Sequence, residues 1–86
     1  MPYTIELRPT ARRDLKAFSR EILRRISRKI DSLADNPRPP GVEKLSGGEN
    51  SYRVRAGDYR ILYDIRDEVL LVIIVRVRHR REAYRN

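Results

Sequence analysis

From Tyr3 to Arg8 apolar and polar side chains alternate, so that Tyr3, Ile5 and Leu7 share one side, as a half-buried strand requires. Pro9 ends that strand, and Thr10 stands where it can cap a helix in which Ala11, Leu15 and Phe18 recur at spacings of four and three. Ser19 breaks or caps this helix. A second, from about Arg20 to Ala34, lines up Ile22, Ile26, Ile30 and Leu33 along one stripe and leaves Arg24, Arg25, Arg28 and Lys29 largely off it. Two short helices joined this tightly predict an αα-hairpin. In "NPRPPG" the residues Pro37, Pro39, Pro40 and Gly41 forbid regular structure and read as a surface loop, and "GGEN" at Gly47 to Asn50 is another turn. From Ser51 onward the order is strand, turn, strand, turn, strand: "YRVR", "AGD", "YRILYDI", "RDE", "VLLVIIVRVR". The remaining "HRREAYRN" is a charged tail, short and helical or irregular.

The assembled expectation is an α+β fold, β-α-α-β-β-β: a mostly antiparallel four-stranded sheet with the αα-hairpin packed on one face. Residues 1–86 form one domain, because a second core would leave neither half enough buried area to offset its chain entropy. Side chains alternate along strands, which sorts the last three into faces. Tyr52, Val54, Tyr59, Ile61, Tyr63 and Ile65 belong under the helices, and straight alternation adds Val69, Leu71, Ile73, Val75 and Val77 to them. Arg53, Arg55, Arg60, Arg76 and Arg78, with Arg80 if the extension persists, then converge on the helix-free face, where Asp64 is the main acid. Like charges opposite one another on adjacent strands are destabilising unless an anion neutralises them. An exposed basic face that merely keeps the chain soluble is the bland alternative.

Composition shifts the weight between the two. The net charge of +8 comes from 20 basic and 12 acidic residues, and 17 of the 20 are Arg. Lys would solubilise equally well, whereas the planar guanidinium matches phosphate oxygens in pairs and stacks on flat rings. The favoured partner is therefore a polyanion, nucleic acid first and an acidic protein segment second. The absence of Cys excludes disulfides, thiolate metal sites and a Cys nucleophile. With His79 as the one imidazole, no metal and no other cofactor is expected. The longest apolar run, "VLLVIIV", is too short to span a bilayer and the N-terminus has no signal-peptide core, so no membrane is expected and the cytoplasm is the simplest address.

The element order, with "SYRVRAGDYRILYDI" and "VRVRHRREAYRN", resembles the RelE branch of the RelE/ParE toxin superfamily, and the likeness runs from "YTIELRPTARRDLKAF" through "LADNPRPPGVEKLSG" to the final Tyr. The resemblance implies a toxin of a type II toxin-antitoxin system, a metal-independent endoribonuclease (mRNA interferase) that enters the ribosomal A site beside 16S rRNA, cleaves mRNA there and inhibits translation. It implies 2'-OH attack on the adjacent phosphate, and a cognate RelB-like antitoxin that is acidic and partly disordered when free. Carried onto this chain, the resemblance points to Arg60 and Arg80 at the phosphate and Tyr84 orienting the substrate, with Arg53 and Arg55 beside them; Arg76 and Arg78 join as RNA-binding residues by their face. Some family members have Lys at the positions of Arg53 and Arg55, and a Lys can act as a base where Arg effectively cannot. His79, Lys44 and Glu49 are the acid/base candidates, although alternation puts His79 on the Val77 side and a packing role competes there. Tyr84 has a competing role as an aromatic anchor of the tail. Two other functions stay open: a ParE-like inhibitor of DNA gyrase, and a non-catalytic RNA- or ribosome-binding module.

Overall fold

A computed structural model describes residues 2–83 of the chain. The elements run β1 (Thr4–Leu7), α1 (Pro9–Lys16), α2 (Arg20–Asp35), β2 (Glu43–Lys44), β3 (Ser51–Ala56), β4 (Tyr59–Arg66), a 3-10 turn (Asp67–Val69), β5 (Leu71–His79) and α3 (Arg80–Ala83). The α+β class and the αα-hairpin are as the sequence predicts. The sheet, however, is five-stranded and mixed, in the order β1-β5-β4-β3-β2, with β1 parallel to β5 and the remaining pairs antiparallel. The additional strand arises where the Pro-rich loop runs out and Glu43 and Lys44 pair with Arg53 and Tyr52. The parallel pair follows from the helices, which carry the chain across the sheet between β1 and its far edge.

Ser19 caps α2 by accepting a hydrogen bond from the Ile22 amide, a contact worth about 1 kcal/mol in a typical helix. Ile26, Ile30 and Leu33 are buried on the sheet side of that helix. Thr10 does not cap α1, because the helix starts one residue earlier with Pro9 in its first turn, where the missing amide hydrogen costs nothing. Instead, the Thr10 hydroxyl donates to the Val75 carbonyl, and Asp14 accepts from the Val77 amide at 2.9 Å. These two α1 side chains satisfy β5 backbone groups beyond Ile74, where β1 has already ended.

β5 also corrects the face assignment. It carries a β-bulge opposite Leu62 and Tyr63: Leu62 pairs with Arg76, but Tyr63 pairs with Ile74, so Val75 is the extra residue. The alternation therefore changes phase within the strand. Val72 and Ile74 are buried with Val77, whereas Leu71, Ile73 and Val75 are half-buried and Val69 lies exposed in the turn before the strand. Of the five core positions expected from straight alternation, Val69, Leu71, Ile73, Val75 and Val77, only Val77 is fully buried.

The loop after α2 is fastened to the sheet by polar contacts. Tyr63 is buried and its hydroxyl donates to the Pro37 carbonyl at 2.7 Å; burial pushes its pKa up to about 12. Arg38 makes a two-pronged contact with Asp67 at 2.8 and 3.2 Å, and its guanidinium carbon lies 5.2 Å from the centre of the Tyr52 ring. The Tyr3 hydroxyl donates to the same carboxylate at 2.6 Å. Hydrogen bonds from Arg38 and then Tyr3 lower the Asp67 pKa to about 2. No helix among the described residues is long and apolar enough to cross a membrane.

Candidate nucleic-acid interface

Strand register gathers the arginines into rows. Arg55 on β3 stands opposite Arg60 on β4, which stands opposite Arg78 on β5, so three guanidinium-bearing residues cross three adjacent strands side by side. The neighbouring row runs Glu43, Arg53, Leu62, Arg76. Arg53 bonds Glu43 at 3.0 Å at one end of that row, and Arg76 bonds Asp14 at 2.9 Å at the other. The third row, Ser51, Asp64 and Ile73, holds the expected local acid, which accepts from the Ser51 hydroxyl at 2.9 Å. The bulge at Val75 makes this possible. Without it, a strand that buries Val72 and Ile74 would also turn Arg76 and Arg78 under the helices.

Arg60 is the buried member of the first row, with 8% of its surface exposed, and one of its terminal nitrogens donates to the Tyr59 carbonyl at 3.2 Å. Arg55 is exposed and bonds the Gly57 carbonyl, which holds its side chain toward the β3–β4 turn. Both line a cleft of about 530 Å³ with Pro40, Gly41, Glu43 and Gly57. Gly57 turns there with a φ of 63°, a conformation open to glycine at little cost. Arg80 begins α3, and its amide donates to the Asp58 carbonyl at 2.7 Å, which brings it to the same end of the sheet. The side chain of Arg76 belongs to the Asp14 contact as well as to this face.

The acid/base candidates are dispersed. His79 packs edge-on against Tyr59 at 5.3 Å, and Tyr59 in turn meets Phe18 at 5.0 Å, so the imidazole sits in an aromatic cluster on the helix side. Its Nδ1 accepts from the Arg81 amide. Lys44 pairs with Tyr52, on the helix side of the sheet, and borders with Glu49 a separate hollow formed by the β2–β3 loop. Tyr84 lies outside the described residues. The residue that sequence reasoning missed is Glu43, the one carboxylate among the described residues that line the Arg55 and Arg60 cleft. Only the two-residue strand β2 aims it there, and so short a strand after a Pro-rich loop leaves no alternation to read. Among the described residues no group of three His, Cys, Asp or Glu side chains could hold a metal ion.

Arg55, Arg60 and Arg78 stand in register on the sheet face away from the helices, and guanidinium groups are donors whose geometry matches phosphate oxygens. Comparison with known proteins places the chain more closely. The profile of the family described as ParE toxin of type II toxin-antitoxin system, parDE, matches residues 5–84. Toxin RelG of Mycobacterium tuberculosis is 37% identical over 86 residues, covering 99% of both chains. Putative toxin RelE1 of Methanocaldococcus jannaschii is 29% identical over 89 residues, covering 100% of this chain and 99% of the relative. The fold superimposes on a chain of the RelBE2 toxin-antitoxin complex of M. tuberculosis with a TM-score of 0.80 and 35% identity, covering 92% of this chain and 99% of that one. A chain of the archaeal RelE-RelB complex of Pyrococcus horikoshii gives 0.81 and 27%, covering 93% and 97%. The chain belongs to the RelE/ParE toxin superfamily. Within it, the protein is a RelE-like toxin of a type II toxin-antitoxin system.

Proposed function

We propose that this toxin is a ribosome-dependent endoribonuclease that cleaves mRNA in the A site, stops translation, and is held inactive in the cytoplasm by an acidic RelB-like antitoxin. The observation that carries the reading is the row Arg55, Arg60, Arg78 beside a cleft with Glu43 on its rim. Its kinship with RelE toxins, two of them solved in complexes with RelB antitoxins, supports the substrate and the partner.

The chemistry follows from the residue types. The ribose 2'-oxygen attacks the adjacent phosphorus in line with the departing 5'-oxygen, and the products are a 2',3'-cyclic phosphate and a 5'-hydroxyl. Charge builds on the equatorial phosphoryl oxygens, and fixed guanidinium groups in a partly desolvated site stabilise it. Arg60 serves this role because burial holds it in place before substrate arrives. Arg80 reaches the same phosphate, Arg53, Arg55 and Arg78 grip the flanking backbone, and Tyr84 stacks on a base to hold the nucleotide splayed. A guanidinium cannot take up the 2'-OH proton. Glu43 can, and its bond to Arg53 holds the carboxylate at the rim of the cleft. The scheme uses no metal.

The test is induction of the toxin followed by primer extension on a reporter mRNA. New ends within codons occupied by ribosomes are expected, and intact mRNA under arrested growth would refute the nuclease. The ParE description of the matched family makes gyrase the second target to assay. Intact mRNA together with loss of supercoiling by purified gyrase would select it, and ribosome binding with neither effect would select a non-catalytic module.

A further inference from the structure

A second basic groove lies on the helix side of the sheet. Arg28, Lys29 and Ser32 lie three, four and seven residues after Arg25 along α2, and with Ala56 of β3 these four line an open groove of about 360 Å³. Helical spacing alone predicts that Glu21 would pair with Arg25 and Asp31 with Arg28. Neither pair forms: among the described residues no carboxylate comes within 4.0 Å of the cationic groups of Arg25, Arg28 or Lys29. Ion pairs among the described residues lie elsewhere, at Arg38, Arg53 and Arg76.

The groove is joined to the first cleft through the β3–β4 turn. Gly57 lines the cleft of Arg55 and Arg60, while on its other side a methyl group placed on it would lie 3.4 Å from a terminal nitrogen of Arg25. Arg28, Lys29, Arg25, Gly57, Arg55 and Arg60 thus form one path that leaves the helix layer, crosses the end of the sheet and enters the proposed nuclease cleft. Among the described residues its α2 cations face no carboxylate within ion-pair distance, and its floor is the small side chain of Ala56 with the aliphatic stems of the basic residues.

We propose that this path is a track for the sugar-phosphate backbone of single-stranded RNA, so that a strand engaged at Arg60 continues round Gly57 and is held a second time by α2. The inference rests on the reading of the Arg60 cleft as an RNA site and adds to it a contact outside the reacting nucleotides. RNA fits better than an acidic peptide because one continuous polyanion accounts for both grooves and for the turn between them.

The test is fluorescence polarisation with fully 2'-O-methylated RNA, which has no 2'-hydroxyl to attack, across a salt titration. Strands of about four nucleotides fill one cleft, and strands of about twelve reach beyond it. The Arg25→Ala/Arg28→Ala protein is expected to bind the short strand like wild type. On the long strand its slope of log affinity against log salt should be shallower by about 1.4, about 0.7 for each of two lost phosphate contacts. Arg25→Lys/Arg28→Lys, which keeps the charges, should restore the slope and guards against misfolding. Arg60→Met should weaken both strands. An unchanged long-strand slope in Arg25→Ala/Arg28→Ala overturns the track, and if Arg60→Met still weakens binding, the reading of the first cleft survives it. Loss of affinity for the purified antitoxin with no change in RNA slope assigns the groove to the antitoxin and overturns the track as well. If neither strand binds the wild type, the track falls, while the ribosome-dependent reading of the first cleft is decided separately by primer extension.

Discussion

Arg38 and Arg60 lie toward opposite ends of β4 and show two uses of one side chain. Arg38 is half exposed, faces a carboxylate, and covers an aromatic ring; its charge is answered by neighbours in the fold. Arg60 is buried, and its cross-strand neighbours on both sides are arginines. The first arrangement lowers the energy of the folded chain. The second sets like charges side by side across three strands, an arrangement that an anion would relieve. On the proposed function, a guanidinium that serves the fold differs from one that serves a substrate in what stands across the strand from it, and not in how deeply it is buried.

That contrast can be broken at either end. Arg60→Met keeps the buried volume and removes the charge, and single-turnover cleavage on programmed ribosomes should slow by roughly a thousandfold, the scale seen when one electrostatic donor is lost. A cleavage rate within tenfold of wild type would end the comparison. Glu43→Gln should slow cleavage by roughly a hundredfold, the lower range for a general base, while ribosome binding persists. The amide oxygen can still accept from Arg53, so a loss confined to binding would show that Glu43 only positions that arginine.

At the Arg38 end the effects should fall on stability alone. Tyr63→Phe removes the donor to the buried Pro37 carbonyl and should cost about 1–2 kcal/mol in denaturant unfolding, with cleavage unchanged. Asp67→Asn should give the smallest change. Because the folded state holds the Asp67 pKa down at about 2, against an ordinary 3.8, its contribution is present above 3.8 and disappears as pH falls through 2. The melting temperatures of wild type and variant should therefore differ modestly at neutral pH and converge across that interval. A gap that stays constant down to pH 2 would show that the carboxylate charge contributes nothing.

Much of this was legible in the chain. The Ile stripe of α2, the alternation in β1, β3 and β4, and the separation of Arg53, Arg55 and Arg60 from Tyr52, Val54 and Ile61 all follow from period alone, since one face of each element is buried. What could not be read depended on partners distant in sequence. The two residues of β2 are a strand only because β3 offers them an edge, and Glu43 becomes part of the cleft by that pairing. Thr10 has the identity of a cap, but the open carbonyl of Val75, 65 residues away, takes its hydroxyl. The inner and outer faces of β5 were inverted in its first half because a bulge leaves no mark on a run of Val, Leu and Ile. For the site itself, residue types and family likeness directed attention to Arg60 and Arg80, and the structure set Arg60 in a row. His79 drew attention as the sole imidazole, but its neighbours Tyr59 and Phe18 are helix-side packing.

The extra residue at Val75 has a consequence for how this strand can change over time. It shifts by one residue which β5 side chains meet the helices: Val72 and Ile74 before it and Val77 after it are buried, while Arg76 and Arg78 face outward. Arg76 and Arg78 can therefore be exchanged for other outward-facing residues without disturbing Val72, Ile74 or Val77. The expected signature is a change of parity in mutational tolerance at Val75, with volume-preserving apolar substitutions alone accepted at Val72, Ile74 and Val77 and polar or cationic ones accepted at Arg78.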